Sequence, residues 1–432
     1  MFATSTPKTK RRGQSLSEYS MLLAAIALLG FASVEALMQE KGGKGVLHRV
    51  AAAMDSGKTS GGGKHGGKAT DDVPEPDTSE PQPEPAPEPD PEPEPDPQPE
   101  PEPEVPDTLI CKLSLTPMPS GGNSYSDYVA AYREAGEMGV KVAHHYRTWS
   151  ELEPAAGAYE WQDFRYATDL AHLNGMEVSV EILLINVFDV GGLPADLEGR
   201  VLTDPLLKDR FLSFIRLFAR QYKDEVHYVF IGNEIDTYFN EHQGELQDYA
   251  ALLRQAAAAV HEEAPNMKVG TVLTYHDALK YGHTGWIDTF GPAVDLVGVT
   301  FYPEMMPGGY EPAQVRQQFD DLFAAYGSYS LALVESGVAA EPVFGGGEAE
   351  QVRFCQELFS ALERHREALE FGGWFNLHDF SPDYVDQMTA GWGISDADLK
   401  TWFGSTGLAG YNDEVRPVHA TWVEQAAAVV QQ

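Results

Sequence analysis

Two short apolar runs in this 432-residue chain each arrive at a glutamate: Val229-Phe230-Ile231-Gly232-Asn233-Glu234 and Leu331-Ala332-Leu333-Val334-Glu335-Ser336-Gly337. Runs of this kind read as buried parallel strands that deliver one polar group at their C-terminal ends. Two carboxylates presented in this way suit the cleavage of an acetal bond. One protonates a poor leaving group while the other stabilises an oxocarbenium-like centre from the opposite face. One must therefore keep its proton near neutral pH while its partner stays ionised, a division set by burial, neighbouring charge and hydrogen bonding. Glu234 reads as the acid and then the base, and Glu335 as the nucleophile. A retaining pair of this type is expected at a separation of roughly 5–5.5 Å.

The elements around these runs supply the frame. From residue 109 onward, apolar runs alternate with helical patterns, the signature of βα units and a parallel sheet. Strands are expected near 109–116, 141–149, 176–186, 226–235, 267–275, 294–302, 330–336 and 371–378. Helical periodicity fills 205–224, 244–264, 311–326 and 347–370, with a last helix near 413–429. The fold class is thus α/β, and eight strands match a (β/α)8 TIM barrel, whose active face lies at the C-terminal ends of the strands. Glu234 closes the fourth strand and Glu335 the seventh.

At this point the chain resembles the retaining glycoside hydrolases of the clan A type, in which the acid/base ends strand four and the nucleophile ends strand seven. The resemblance spans nearly all of 109–425. It rests on Gly232-Asn233-Glu234, Val334-Glu335-Ser336-Gly337, and Trp149-Ser150-Glu151-Leu152-Glu153-Pro154 followed by Gly157-Ala158-Tyr159-Glu160-Trp161. Gly407-Leu408 with Arg416-Pro417 completes it. The resemblance implies that Asn233 hydrogen-bonds a sugar hydroxyl and that the Tyr302 hydroxyl contacts the nucleophile. It also suggests Arg147 as an orienting cation, although the usual arginine of these enzymes falls earlier on that strand, near Ala143.

Aromatic residues crowd the same strand ends: Trp149, Tyr238, Phe239, Tyr275, Trp374, Phe375 and Trp392. Flat rings with polar tips are platforms for the CH faces of sugars and equally ordinary core residues. Trp374 and Trp149 are the candidates for sugar contact. On the eighth strand Trp374, Asn376 and His378 share one face, with Phe375, Leu377 and Asp379 on the other. His144 and His145 are adjacent on a strand and point to opposite faces, so they do not form a common metal site. No spacing suggests a metal, a dinucleotide or a P-loop, and no cofactor is expected. Cys111 and Cys355 read as two buried thiols.

Residues 1–107 concern location. Lys8, Lys10, Arg11 and Arg12 precede Gly13, and Gln14-Ser15-Leu16-Ser17-Glu18-Tyr19 leads into an apolar stretch from Met21 to Val34. This resembles the leader and helix of Flp/Tad type IV pilins, which a prepilin peptidase cuts after the glycine. A glutamate at the mouth of a membrane helix is costly enough to need a reason. A secretory signal cut near Val34-Glu35-Ala36 and a plain membrane anchor are the alternatives. All three export the C-terminal domain, because the basic cluster stays cytoplasmic. The expected organisation is a pilin-like leader and membrane helix over 1–40, a disordered linker over 41–107, and the barrel over 108–432. The linker is Gly/Lys-rich to residue 70 and Pro/Glu-rich beyond it, and the central part of the Pro/Glu-rich tract is a spacer that alone reaches on the order of 100 Å if extended.

The chain carries 66 acidic and 30 basic residues, and 15 of the acids lie in 71–107. Most of the remaining excess falls on the barrel, which excludes nucleic acid as a partner and makes a neutral polysaccharide the easier substrate. The expected function is a surface-tethered retaining endo-β-glycosidase of galactanase- or mannanase-like character. Its expected partners are the polysaccharide, the membrane and, in the pilin reading, the pilus machinery. A pilin-linked adhesin that binds glycans without cleaving them is the alternative.

Overall fold

The computed structural model describes residues 111–391 and 394–430. Eight parallel strands run through them: β1 Lys112–Thr116, β2 Val142–Arg147, β3 Glu177–Asn186, β4 Tyr228–Asn233, β5 Lys268–Thr274, β6 Leu296–Phe301, β7 Leu331–Ser336 and β8 Leu369–Asn376. Each pairs with the next in chain order, and β8 closes on β1 with Phe371 opposite Lys112. The result is a closed barrel. A two-residue strand, Asp189–Val190, folds back antiparallel on the end of β3.

The longer helices of the outer ring are α1 Tyr125–Glu137, α2 Gln162–Leu173, α3 Pro205–Tyr222, α4 Leu246–Glu263, α5 Val315–Tyr326, α6 Glu348–Arg364 and α7 Pro417–Val430. Their boundaries follow local chemistry. Asp204 caps α3 through its side chain on the Leu206 amide, and Pro205 occupies the first turn, where its missing N–H costs nothing. Leu207, Phe211, Phe214, Ile215, Phe218 and Tyr222 then form one buried stripe against the strands. Between β5 and β6 the connection contains only short helices, Tyr275–Tyr281 and Ile287–Phe290 among them.

The largest boundary difference from the sequence reading lies just before β8. The helix expected to reach residue 370 stops at Arg364, and β8 begins at Leu369, two residues early. Helix-forming Arg366, Glu367 and Ala368 make a single 3-10 turn, after which Leu369 pairs with Leu331. Sheet pairing overrides local propensity there.

The lower interior of the barrel is filled by Val142, Tyr228, Phe230, Val272, Leu296, Ala332, Val334 and Phe371. These mark which residues of β2 and of β4 to β8 face inward. Among the described residues no helix is long and apolar enough to cross a membrane. The leader, the pilin-like helix and the linker fall on residues 1–107 and lie outside the described residues.

Candidate active site

The end of β4 is bent by design of its sequence. Gly232 has φ of +76°, and a Cβ there would sit 2.6 Å from both Ile235 Cγ2 and Tyr249 Oη. Only glycine fits. Two residues later Glu234 itself adopts a left-handed φ of +45°, a strained conformation for a side chain of its size. The double bend ends the strand, starts a short helix at Ile235, and leaves Glu234 fully buried with Oε1 accepting from Thr300 Oγ1 at 2.5 Å.

Glu335 reaches the interior by a different device. Val334 already faces inward, so strict alternation would send Glu335 toward the helices. The register between β6 and β7 pairs Val299 with Leu333 but Thr300 with Glu335, skipping Val334. This β-bulge adds one residue and turns Glu335 back to the inside. There Tyr146 Oη donates to Oε1 and Tyr302 Oη to Oε2, each at 2.8 Å.

Thr300 and Tyr302 therefore hold the two carboxylates from one face of β6. Two residues along a strand span about 6.6 Å, which brings both acids into one small space. Their environments are unequal. Glu335 is pushed up to about 7, chiefly by burial and then by Glu181, while its two tyrosine donors pull it back down. Glu234 is driven well above the carboxylate range by burial and by Glu335, with Asp236 and Asp277 adding to the effect and only Thr300 opposing it. Glu335 thus ionises first and Glu234 keeps its proton. Both aspartates are anchored: Asp236 accepts from the Thr274 amide and lies 3.1 Å from His283 Nε2, and Asp277 accepts from Thr237 Oγ1.

Asn233 sits beside Glu234 in the chain, with its Nδ2 donating to Asn186 Oδ1 at 3.3 Å. Three other candidates lie elsewhere. Arg147 is on the helix side of β2, its guanidinium 5.3 Å from the Phe164 ring centroid and Nη1 donating to the Tyr146 carbonyl. Its neighbour Tyr146 faces Glu335 instead, because adjacent strand residues point opposite ways. The same reversal holds on β8. Trp374 is buried against Phe354 of α6 and donates to the Thr406 carbonyl, whereas the Phe375 ring lies 6.3 Å from both Tyr146 and Tyr302. Trp149 donates to Glu153 and packs on Phe211 and Phe214 of α3. Cys111 and Cys355 are buried free thiols. Trp392 lies outside the described residues.

Sequence reasoning missed Tyr146 and Thr300, and also a buried pair deeper in the barrel. His144 faces inward below Tyr146, with Nδ1 2.8 Å from Ser179 Oγ and Nε2 2.8 Å from Glu181 Oε1, all three residues fully buried. Burial lowers His144 to about 4 and lifts Glu181 well above the usual carboxylate range. An ionised Glu181 would oppose ionisation of Glu335. Only the strand register, which sets His144 opposite Ser179 and Tyr146 opposite Glu181, reveals the pair.

No protein-family model matches the chain, and a search of curated proteins finds no match. Solved structures do resemble it. An exo-β-1,4-mannosidase from Opitutaceae bacterium strain TAV5 is similar over 74% of this chain at 16% identity, with a TM-score of 0.57. The chain spans 60% of that mannosidase's length. A GH5_18 protein from Bifidobacterium longum gives 14% identity over 73% of this chain and 78% of its own, with a TM-score of 0.56. Xylanase 10B from Thermotoga maritima gives 14% identity over 75% of this chain and 97% of its own, with a TM-score of 0.52. What the chain shares with these glycoside hydrolases is the fold, a closed eight-stranded parallel (β/α)8 barrel.

Proposed function

We propose that the chain is a retaining glycoside hydrolase acting on β-linked, neutral polysaccharide, with Glu335 as nucleophile and Glu234 as acid/base. One observation carries this reading: two buried carboxylates meet at the C-terminal face of the barrel with unequal hydrogen bonding, Glu335 receiving two tyrosine hydroxyls and Glu234 one threonine hydroxyl. The tyrosines favour the ionised form of Glu335, and burial beside it favours the protonated form of Glu234.

In the first step Glu335 Oε attacks the anomeric carbon as the Glu234 proton passes to the departing oxygen. The bond to the leaving group breaks and a glycosyl ester forms. In the second step Glu234, now a carboxylate, takes a proton from water, whose oxygen displaces Glu335. Both carboxyls return to their starting states, and the anomeric configuration is retained. Tyr146 and Tyr302 orient the nucleophile. Asn233 is placed beside the acid to meet a sugar hydroxyl.

The acidic surface favours a neutral chain over a uronate-rich or sulfated one. Similar folds belong to a mannosidase and a xylanase, which supports β-linked plant or microbial glycans as the substrate class. Endo action of galactanase or mannanase type is the form proposed, on an enzyme exported and held at the surface by residues 1–107. The test is release of reducing ends from galactan, mannan, xylan and β-glucan by the full chain, with the anomer of the first product read by NMR. Release with retained configuration supports the proposal. Binding of a glycan without any release points to an adhesin instead.

A further inference from the structure

A cavity of about 690 Å³ opens at the loops that follow β3, β4 and β5, beyond the turn that begins at Glu234, and nothing in the two-carboxylate chemistry uses it. That volume lies within the roughly 300–1,000 Å³ of small-ligand sites. It is lined from three successive loops at the C-terminal face: Phe188 and Asp189 after β3, Thr237 to Gln243 after β4, and Tyr281 to Trp286 after β5. Thr237 is three residues beyond Glu234. The cavity is thus centred on the strand that bears the acid, whereas β7, which bears Glu335, lies three strands away.

Its walls are paired rings. Tyr238 stacks on His242 with centroids 4.1 Å apart and planes 11° from parallel. His283 stacks on Trp286 at 4.1 Å and 6°. Tyr281, 41% exposed, lies 6.1 Å from His283 and nearly parallel to it. Flat rings fixed by stacking offer apolar faces to the CH surface of a pyranose at little further entropy cost. Asp189, Asn240, Glu241 and Gln243 add acceptors and amide donors for hydroxyls around those faces. The two carboxylates disfavour an anionic occupant.

One wall is also tied to the acid. His283 Nε2 lies 3.1 Å from Asp236 Oδ2, and Asp236 is two residues from Glu234 on the turn that positions it. The acid protonates the departing oxygen, so the departing sugar must lie on the acid's side, away from the nucleophile.

We propose that this cavity binds the leaving-group portion of the substrate, one or two neutral β-linked sugar residues held between the Tyr238–His242 and His283–Trp286 stacks. The assignment of the cavity to the departing sugar rests on Glu234 being the acid; the binding of neutral sugars there does not.

The experiment is saturation-transfer NMR on the full chain carrying Glu335→Gln, which blocks turnover. The probes are β-1,4-linked mannobiose, xylobiose, cellobiose and galactobiose, with cellobiouronic acid as the anionic counterpart. At least one neutral disaccharide is expected to bind with a Kd on the order of 1 mM. Binding should weaken at least about tenfold on adding Trp286→Ala, and the uronate should bind at least about tenfold more weakly than cellobiose. Thermal melting verifies that the Trp286→Ala protein is folded; if it is not, Tyr281→Ala, at an exposed ring, takes its place. Binding of no neutral disaccharide, binding indifferent to both substitutions, or preference for the uronate overturns the proposal. Ring-dependent binding in a chain that releases no reducing ends from any polysaccharide leaves the sugar site standing and removes the hydrolase reading alone.

Discussion

Replacing Tyr302 by phenylalanine removes one of the two hydroxyls that donate to Glu335 while leaving the ring in place. Tyr302 is fully buried, its hydroxyl lies 2.8 Å from Glu335 Oε2, and its ring packs edge-on against Trp402 at 5.1 Å. A hydrogen bond to a charged group contributes about 1.5–3 kcal/mol. At about 1.4 kcal/mol per pKa unit, its loss raises the nucleophile by about 1–2 units. The donor favours the ionised form, so the shift is upward, from about 7. At pH 6 the ionised fraction, and with it kcat/KM, should fall about 10- to 100-fold. The deficit should shrink as pH rises through the new value. Initial rates of reducing-end release between about pH 4 and pH 9 locate the acidic limb, which belongs to the coupled pair of carboxyls. An acidic limb that stays put, or moves to lower pH, would refute the assignment of Tyr302 as a donor to an ionised nucleophile.

Further outcomes follow from the same geometry. Because Glu335 rises in the folded state from the ordinary glutamate value of 4.5 to about 7, its contribution favours folding at low pH and is lost as pH climbs through 7. Glu335→Gln should therefore be inactive yet melt higher than wild type at pH 8, with the difference vanishing by about pH 4 in calorimetry. Glu335→Ala should lose turnover and regain some with azide, giving a product of inverted configuration, whereas Glu234→Ala should spare only substrates whose leaving groups need no proton; equal rates for both variants and wild type contradict the pair. At the other end of the chain, N-terminal sequencing from the native host should find Gln14 if the pilin-like reading holds, and Gly13→Leu should block that cut. A start near Leu37 instead indicates a secretory signal.

Most of the barrel was legible because buried parallel strands and amphipathic helices write different periods into the chain, and each expected strand lies within three residues of its observed start. Glu234 was legible for a local reason: glycine at 232 marks the backbone bend that ends β4 and precedes it. Facing was harder. Alternation along a strand says which residues share a face but not which face is inside, so the sequence reading named Arg147 and Trp374, whereas their neighbours Tyr146 and Phe375 face the interior. Each error is a shift of one residue. Glu335 illustrates the opposite case, where alternation from Val334 gives the wrong face and a bulge, visible only in the pairing with β6, restores it. The His144–Glu181 pair and the paired rings of the acid-side cavity needed contacts between elements far apart in sequence, which no local pattern carries.

The central claim is that Glu335 forms a covalent bond to sugar. The most direct measurement is peptide mapping by mass spectrometry after incubating the protein with 2,4-dinitrophenyl 2-deoxy-2-fluoro-β-glycosides of the sugar that the polysaccharide assay identifies. The electron-withdrawing fluorine slows both steps, and the good leaving group keeps the first step fast enough for the ester to accumulate. One fluoroglycosyl unit should appear on the peptide containing Glu335 and be absent from the Glu335→Gln protein. A label on any other residue, or undiminished hydrolysis with no label at all, would contradict the account.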